Sequence, residues 1–219
     1  MKRIMCYGYS NTWGDDPVET GADGSAAARF PEDVRWTGVM QKLLGSDYRV
    51  LEEGLNGRTT IFEDPAAYGR NGYAHLEVAL RSCDPVDCVI LMLGTNDLKD
   101  IFHASAYMIT HGMARLIRTC REVLQYTRSA QAKILVAAPL CVCGDKIGAF
   151  HYDFSKESVQ KGRAMRKLYR ALAEQTGCAF LDVNDYVQAC AADGVHLDAD
   201  GQGKLAEVMA ETVRKLLEE

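Results

Sequence analysis

Five short apolar runs, separated by longer amphipathic stretches, constrain the fold of this 219-residue chain more than any single residue does. The runs are RIMCY (3–7), YRVLEE (48–53), DCVILML (87–93), KILVAAP (133–139) and CAFLDV (178–183). The central ones are continuous rather than alternating, as expected of strands covered on both faces. Between them apolar residues recur at helical spacing. Trp36, Val39, Met40, Leu43 and Leu44 share one face, with Gly45 as a stop. Similar faces run over 106–125, over 157–176 up to Gly177, and over 199–217. Strand–helix alternation of this kind predicts a parallel α/β sheet sandwiched by helices. The length fits one domain spanning 1–219.

Charge and hydropathy narrow the function classes. A net charge of −5 and the absence of a Lys/Arg-rich tract give no basic surface for nucleic acid. No apolar run approaches the roughly 20 residues that cross a membrane. Met1-Lys2-Arg3 is basic, but the apolar run after it breaks at Gly8, short of the roughly 7–15 residues of a secretory signal. A cytoplasmic chain is the expectation. The eight cysteines agree: Cys6, Cys88 and Cys178 fall in apolar runs, where a reduced thiol acts as a small hydrophobe. Cys141 and Cys143 form the one close pair, without a second pair at zinc-like spacing, so no metal is expected.

Ligands of open α/β sheets bind beyond the carboxyl ends of the strands, and four segments of interest fall there. Ser10, in GYSNTWG, follows the first run. It suits a helix cap or a nucleophile, and a nucleophile needs a base, an orienting group and oxyanion donors. Of five histidines, His196 in DGVHLDADG has Asp193 three residues earlier, within one tight turn. The plainer reading is an exposed loop histidine before a helix capped by Asp198 or Asp200. Asn96 in GTND is a turn residue or an amide donor. Gly57 in GLNGRTT permits a positive φ, or lets a backbone N–H approach a substrate. Long loops at 14–33 and 141–156 add to the same site edge.

Taken in order, Ser10, Gly57, Asn96 and the Asp193–His196 pair resemble the four blocks of the SGNH hydrolases, a branch of the GDSL esterase/lipase superfamily. SNTWG, DVRWTGVM, EEGLNGRTT and VILMLGTNDLK are similar to its small arylesterase and acyltransferase subgroup. The resemblance implies a three-layer α/β/α, flavodoxin-like fold with a five-stranded parallel sheet. It implies Ser10 as nucleophile, His196 as base then acid, and Asp193 as orienter. Ser10 N–H, Gly57 N–H and the Asn96 side chain would form the oxyanion hole, with no cofactor. A small-molecule ester is the implied substrate, with short acyl groups and acyl transfer to alcohols in view. Assembly into homo-oligomers is implied as well, with the long segments 14–33 and 141–156 as candidates to meet neighbouring subunits near the site and narrow its entrance. Asn11, Trp13, Thr95 and Val195 neighbour these residues and are candidates to line the acyl pocket; Trp13 fits a core position equally well.

One position departs from the family pattern. Its first block reads Gly-Asp-Ser, and Tyr9 stands here in place of the aspartate. If Tyr9 only replaces a turn-stabilising carboxylate, Tyr9→Asp should raise kcat; if the phenol packs beneath the turn or donates its hydroxyl to a neighbour, the same change should lower both stability and rate. Two alternatives remain open. One is a binding or scaffolding protein whose catalysis was impaired at Tyr9. The other is a nucleotide-binding flavodoxin-like protein, although the Gly8-Tyr9-Ser10 turn has no Gly-x-Gly-x-x-Gly cradle.

Overall fold

A computed structural model describes residues 1–19, 28–143 and 153–218. Its five strands are β1 (Lys2–Gly8), β2 (Tyr48–Gly54), β3 (Cys88–Met92), β4 (Lys133–Ala138) and β5 (Ala179–Asp182). They form one sheet in the order β2-β1-β3-β4-β5, and every neighbouring pair is parallel. The helices are α1 (Ser10–Trp13), α2 (Trp36–Leu44), α3 (Gly72–Cys83), α4 (Ala106–Leu124), α5 (Lys156–Thr176) and α6 (Ala199–Glu218).

Connectivity assigns the helices to layers. From β1 the chain steps through α2 to β2, then crosses back through α3 to β3 and onward through α4 and α5. Right-handed crossovers in opposite directions put α2 on one face and α3, α4 and α5 on the other. Packing agrees, with α2 against α6, and α3 against α4 against α5. The flavodoxin-like three-layer sheet expected above is present.

Burial follows the apolar patterning. All five residues of β3 are buried, whereas the edge strand β2 is mostly half-buried. Trp36 and Met40 of α2 meet Leu205, Met209 and Val213 of α6 in the same fully enclosed core. Across the sheet Leu76, Leu80, Ile109, Met113, Leu116, Met165 and Tyr169 do the same for the second layer. Truncating such a leucine to alanine costs about 2–5 kcal/mol, so these faces hold the layers together. Cys6 and Cys88 lie in the core, and burial pushes the Cys88 thiol up to about 12. Cys178 differs from expectation: it precedes β5 and is half-buried.

The feature that prepares the site is the switch at β1. Because β2 lies on one side of β1 and β3 on the other, the loops after β1 and β3 diverge and leave a crevice between them. Gly8 and Gly54 end β1 and β2 in register. A Cβ on Gly54 would stand 2.3 Å from the Trp13 nitrogen, and one on Gly8 would stand 2.1 Å from Thr12 Oγ1. The first turn of helix therefore sits directly on the strand ends.

Candidate active site

Ser10 opens α1, with Tyr9 extended before it and Gly14 in the left-handed conformation closing it. Helix first-turn N–H groups have no intrahelical acceptor. His196 lies in the loop between β5 and α6, whose turn is built by Asp193: its Oδ1 accepts the Val195 and His196 N–H groups at 2.8 and 2.9 Å. The other carboxylate oxygen meets His196 Nδ1 at 2.5 Å, and His196 Nε2 lies 2.8 Å from Ser10 Oγ. A carboxylate only accepts, so Nδ1 carries the imidazole proton and Nε2 is left to accept the Ser10 hydroxyl. All three residues are buried, whereas His75, His103 and His111 are exposed. His151 lies outside the described residues.

Gly57 and Asn96 arrive from two further loops. Gly57 has φ +74°, which an L side chain rarely adopts. Asn96 begins a short 3₁₀ turn after β3, and its Nδ2 donates to the Arg58 carbonyl at 3.1 Å. That bond ties the amide to the Gly57 loop and leaves its second hydrogen to offer. Among the described residues, neither the Ser10 nor the Gly57 N–H donates to another protein group. Three donors of this kind, next to a serine–imidazole pair, can receive the negative charge of a tetrahedral intermediate.

Three of the four residues named as pocket candidates are buried in other contacts. Asn11 is fully buried: its Oδ1 accepts the Leu197 N–H at 2.9 Å and its Nδ2 donates to the Tyr9 hydroxyl at 2.7 Å. It joins the serine helix to the histidine loop rather than forming a free wall. Thr95 is also fully buried and donates to the Leu140 carbonyl at 3.1 Å, and Val195 belongs to the core. Trp13 is half-buried, outside the core, with the Arg29 guanidinium over its ring.

Tyr9 itself is buried, with its hydroxyl bonded by the Asn11 and Thr95 side chains. Burial pushes its phenol above the ordinary value, and those hydrogen bonds partly offset the rise. The phenol is thus built into the floor under the turn, which differs from a turn that has merely lost a carboxylate.

Sequence reasoning missed three supports. Arg58 is buried, stacks 4.1 Å from the Tyr7 ring and donates to the Gly8 carbonyl at 3.1 Å, holding the Gly57 loop to the end of β1. Burial lowers its pKa. Gln202 of α6 accepts the Trp36 N–H at 2.9 Å and donates to the Asn11 carbonyl at 3.4 Å. Asp15, five residues after Ser10, approaches His196 Nδ1 to 3.8 Å. An acidic residue just past a candidate nucleophile was the available signal for Asp15. Nothing local marks Arg58 or Gln202, whose partners are distant in sequence.

Among the described residues, no group of three or more His, Cys, Asp or Glu converges as metal ligands would. A cavity of about 820 Å³, lined by Asp100, His103, Ser105, Ser155 and Lys156 among others, shares no lining residue with the serine–histidine site.

The fold and the site together define an α/β hydrolase of the SGNH type. Residues 6–204 match the GDSL-like Lipase/Acylhydrolase family, and the chain belongs to it. A solved aryl esterase from M. smegmatis is 35% identical over 99% of this chain and 100% of its own, with a TM-score of 0.91. A carbohydrate acetylesterase from Sinorhizobium meliloti is 35% identical over the same shares, with a TM-score of 0.90. A lipase/acylhydrolase from Enterococcus faecalis, at 14% identity and a TM-score of 0.71, shares the fold. No curated protein sequence matches significantly. The chain is a carboxylic ester hydrolase.

Proposed function

We propose that the protein cleaves short-chain, acetyl-type carboxylic esters through an acyl-enzyme on Ser10. The observation that carries this reading is the unbroken contact from Ser10 Oγ to His196 at 2.8 Å and on to Asp193 at 2.5 Å. Ser10 attacks the ester carbonyl while His196 Nε2 takes its proton. Asp193 holds the imidazole in the required tautomer and faces the positive charge that develops. The Ser10 and Gly57 N–H groups and the Asn96 amide hold the oxyanion, and His196 returns its proton to the departing alcohol. Water then repeats the sequence on the acyl-enzyme; a competing alcohol gives acyl transfer instead. The aryl esterase and the carbohydrate acetylesterase above support small acyl groups, on aryl or sugar alcohols.

The test is burst kinetics with p-nitrophenyl acetate. The wild type should release one equivalent of nitrophenol quickly and then turn over, while Ser10→Ala should show neither phase yet keep its melting temperature. Near-wild-type turnover by purified Ser10→Ala overturns the assignment. A chain-length series of p-nitrophenyl esters should show the highest kcat/KM for the shortest acyl groups.

A further inference from the structure

The cavity of about 820 Å³ that stands apart from the serine–histidine pair has a wall of one chemical kind. Seven of its nine lining residues are polar, and the other two are alanines, Ala104 and Ala106. No large apolar side chain lines it, so it suits neither a long acyl chain nor a hydrocarbon ring. Its formal charges balance, with Lys156 and Lys161 against Asp100 and Glu157. An ionic ligand would gain from one pair and lose to the other, whereas a neutral ligand meets no net field.

These groups keep hydrogen-bonding capacity to offer. Ser155 Oγ donates to Asp100 Oδ1 at 2.9 Å, which leaves the second carboxylate oxygen of Asp100 free. Ser105 Oγ accepts the Met108 N–H at 3.2 Å and retains its own hydrogen. Among the described residues, the side chains of His103, Lys156, Glu157 and Lys161 have no hydrogen-bond or ion-pair partner. Donors and acceptors are thus mixed around one space, and a hydroxyl, which does both, satisfies both kinds. The wall is also held in place. The Asp100 N–H donates to the Asp153 carbonyl at 2.7 Å, and Ser158 Oγ donates to the Leu98 carbonyl at 2.8 Å, fastening α5 to the loop after β3. His103 has φ +47°, the one non-glycine residue with positive φ among those described. That conformation costs about 1–2 kcal/mol, and such outliers gather at ligand sites.

The cleft lies on the edge of the sheet that carries the site. Asn96 opens the first 3₁₀ turn after β3 and Asp100 opens the second. Four residues separate them, at most about 14 Å of chain. A molecule held in the cleft by its hydroxyls can therefore present an ester at the Asn96 end. We propose that this cleft is a subsite for the alcohol portion of the substrate, and that it takes a neutral, polyhydroxylated alcohol of more than one ring. The proposal rests on the reading of Ser10 given above and names the alcohol that departs from it.

The experiment compares acetylated xylotriose with p-nitrophenyl acetate in the wild type and in His103→Gly combined with Lys161→Ala. Glycine suits the left-handed backbone at 103, and Lys161 is half-buried without a partner, so the chain should fold. KM for acetylated xylotriose should rise about tenfold, the worth of one or two hydrogen bonds. Kinetics on p-nitrophenyl acetate should not change, since its leaving group is a single ring too short to reach the cleft. Equal changes in KM for both esters, or none for either, overturn the proposal. So does a wild type that takes p-nitrophenyl acetate but not acetylated xylotriose. Calorimetry on Ser10→Ala, which cannot turn over, should show xylotriose binding that the two cleft substitutions weaken about tenfold. Inorganic phosphate bound in its place, and lost with the same substitutions, would make this an anion site and overturn the proposal. Should the double variant melt early, Lys156→Ala with Lys161→Ala takes its place with the same expected rise in KM. Failure of the ester-hydrolase reading looks different: Ser10→Ala would then still hydrolyse p-nitrophenyl acetate.

Discussion

At the scale of single residues, Tyr9 shows how a departure from a motif leaves two readings that only packing separates. Its sequence reading leaves two outcomes open: a weakened turn that Tyr9→Asp would repair, or a ring adopted into the site that the same change would damage. In the folded chain the ring is enclosed and its hydroxyl meets the side chains of Asn11 and Thr95. Asn11 also accepts the Leu197 N–H beside His196, so the tyrosine supports the residue that joins the two halves of the site. An aspartate here would be shorter, charged and buried, and the space of the ring would be left empty. We therefore expect Tyr9→Asp to lower the melting temperature by the equivalent of about 3–5 kcal/mol, the cost of losing a buried aromatic. kcat should fall with it, because Ser10 is the next residue in the chain. Thermal melting together with p-nitrophenyl acetate kinetics checks this; a faster and equally stable Tyr9→Asp would restore the motif-based reading. Ser10, Asp193 and His196 were legible because the chemistry demands those residue types in loops after strands. Asn11 was legible as a neighbour, but its full burial is a product of tertiary packing, which no local pattern announces.

Among elements, the five strands were readable from their continuous apolar runs, and α2, α4, α5 and α6 from their periodic faces. Helix α3 was not read, although Leu76, Ala79, Leu80 and Cys83 lie on one side of it. Its apolar face is short, and its cap, Asn71, sits in a Gly/Asn-rich stretch that looks like loop. What joins the elements is still less visible in sequence. Asp97, beside Asn96, accepts the Thr60 N–H at 2.9 and 3.1 Å and also bonds the Thr60 hydroxyl. This clips the loop after β2 to the loop after β3, the two loops that carry Gly57 and Asn96. Asp97 is fully buried, and burial raises its pKa from 3.8 to about 6, against the Thr60 hydrogen bonds. Between pH 4 and 6 the folded chain therefore holds a proton here that the unfolded chain has lost. Stability from this group falls as pH rises through that window, by about 3 kcal/mol in total. Asp97→Asn keeps an acceptor for Thr60 and removes the buried charge. Its melting temperature should depend less on pH between 4 and 6 than that of the wild type. An unchanged slope would mean that Asp97 ionises normally in the folded chain.

On the scale of the whole molecule, three large apolar side chains stand exposed near the site loop after β3. Ile101, Tyr107 and Met108 are 48%, 68% and 52% exposed, close together in sequence between the loop after β3 and the first turn of α4. The backbone that presents them is well anchored. The Asp100 N–H donates to the Asp153 carbonyl at 2.7 Å, Ser155 Oγ donates to Asp100 at 2.9 Å, and Lys99 pairs with Asp153 at 3.1 Å. Large apolar side chains fixed on an ordered surface lose contact with water when a second surface covers them, which favours association. The segments 14–33 and 141–156 expected to meet neighbours lie in part outside the described residues, and we propose this exposed region, instead, as a contact between copies of the chain. Because the segment continues from the loop bearing Asn96, assembly here would brace the oxyanion side of the site. Light scattering on the purified protein at micromolar concentration should give a multiple of 24.2 kDa. Tyr107→Lys combined with Met108→Lys should shift the mass toward one chain, since two lysines cannot be buried against each other without a large desolvation cost. Both side chains are exposed, so the substitutions should leave the fold of each chain intact and affect kcat only as far as bracing matters. A wild type that scatters as 24.2 kDa across this range, with specific activity unchanged on dilution, would rule the contact out.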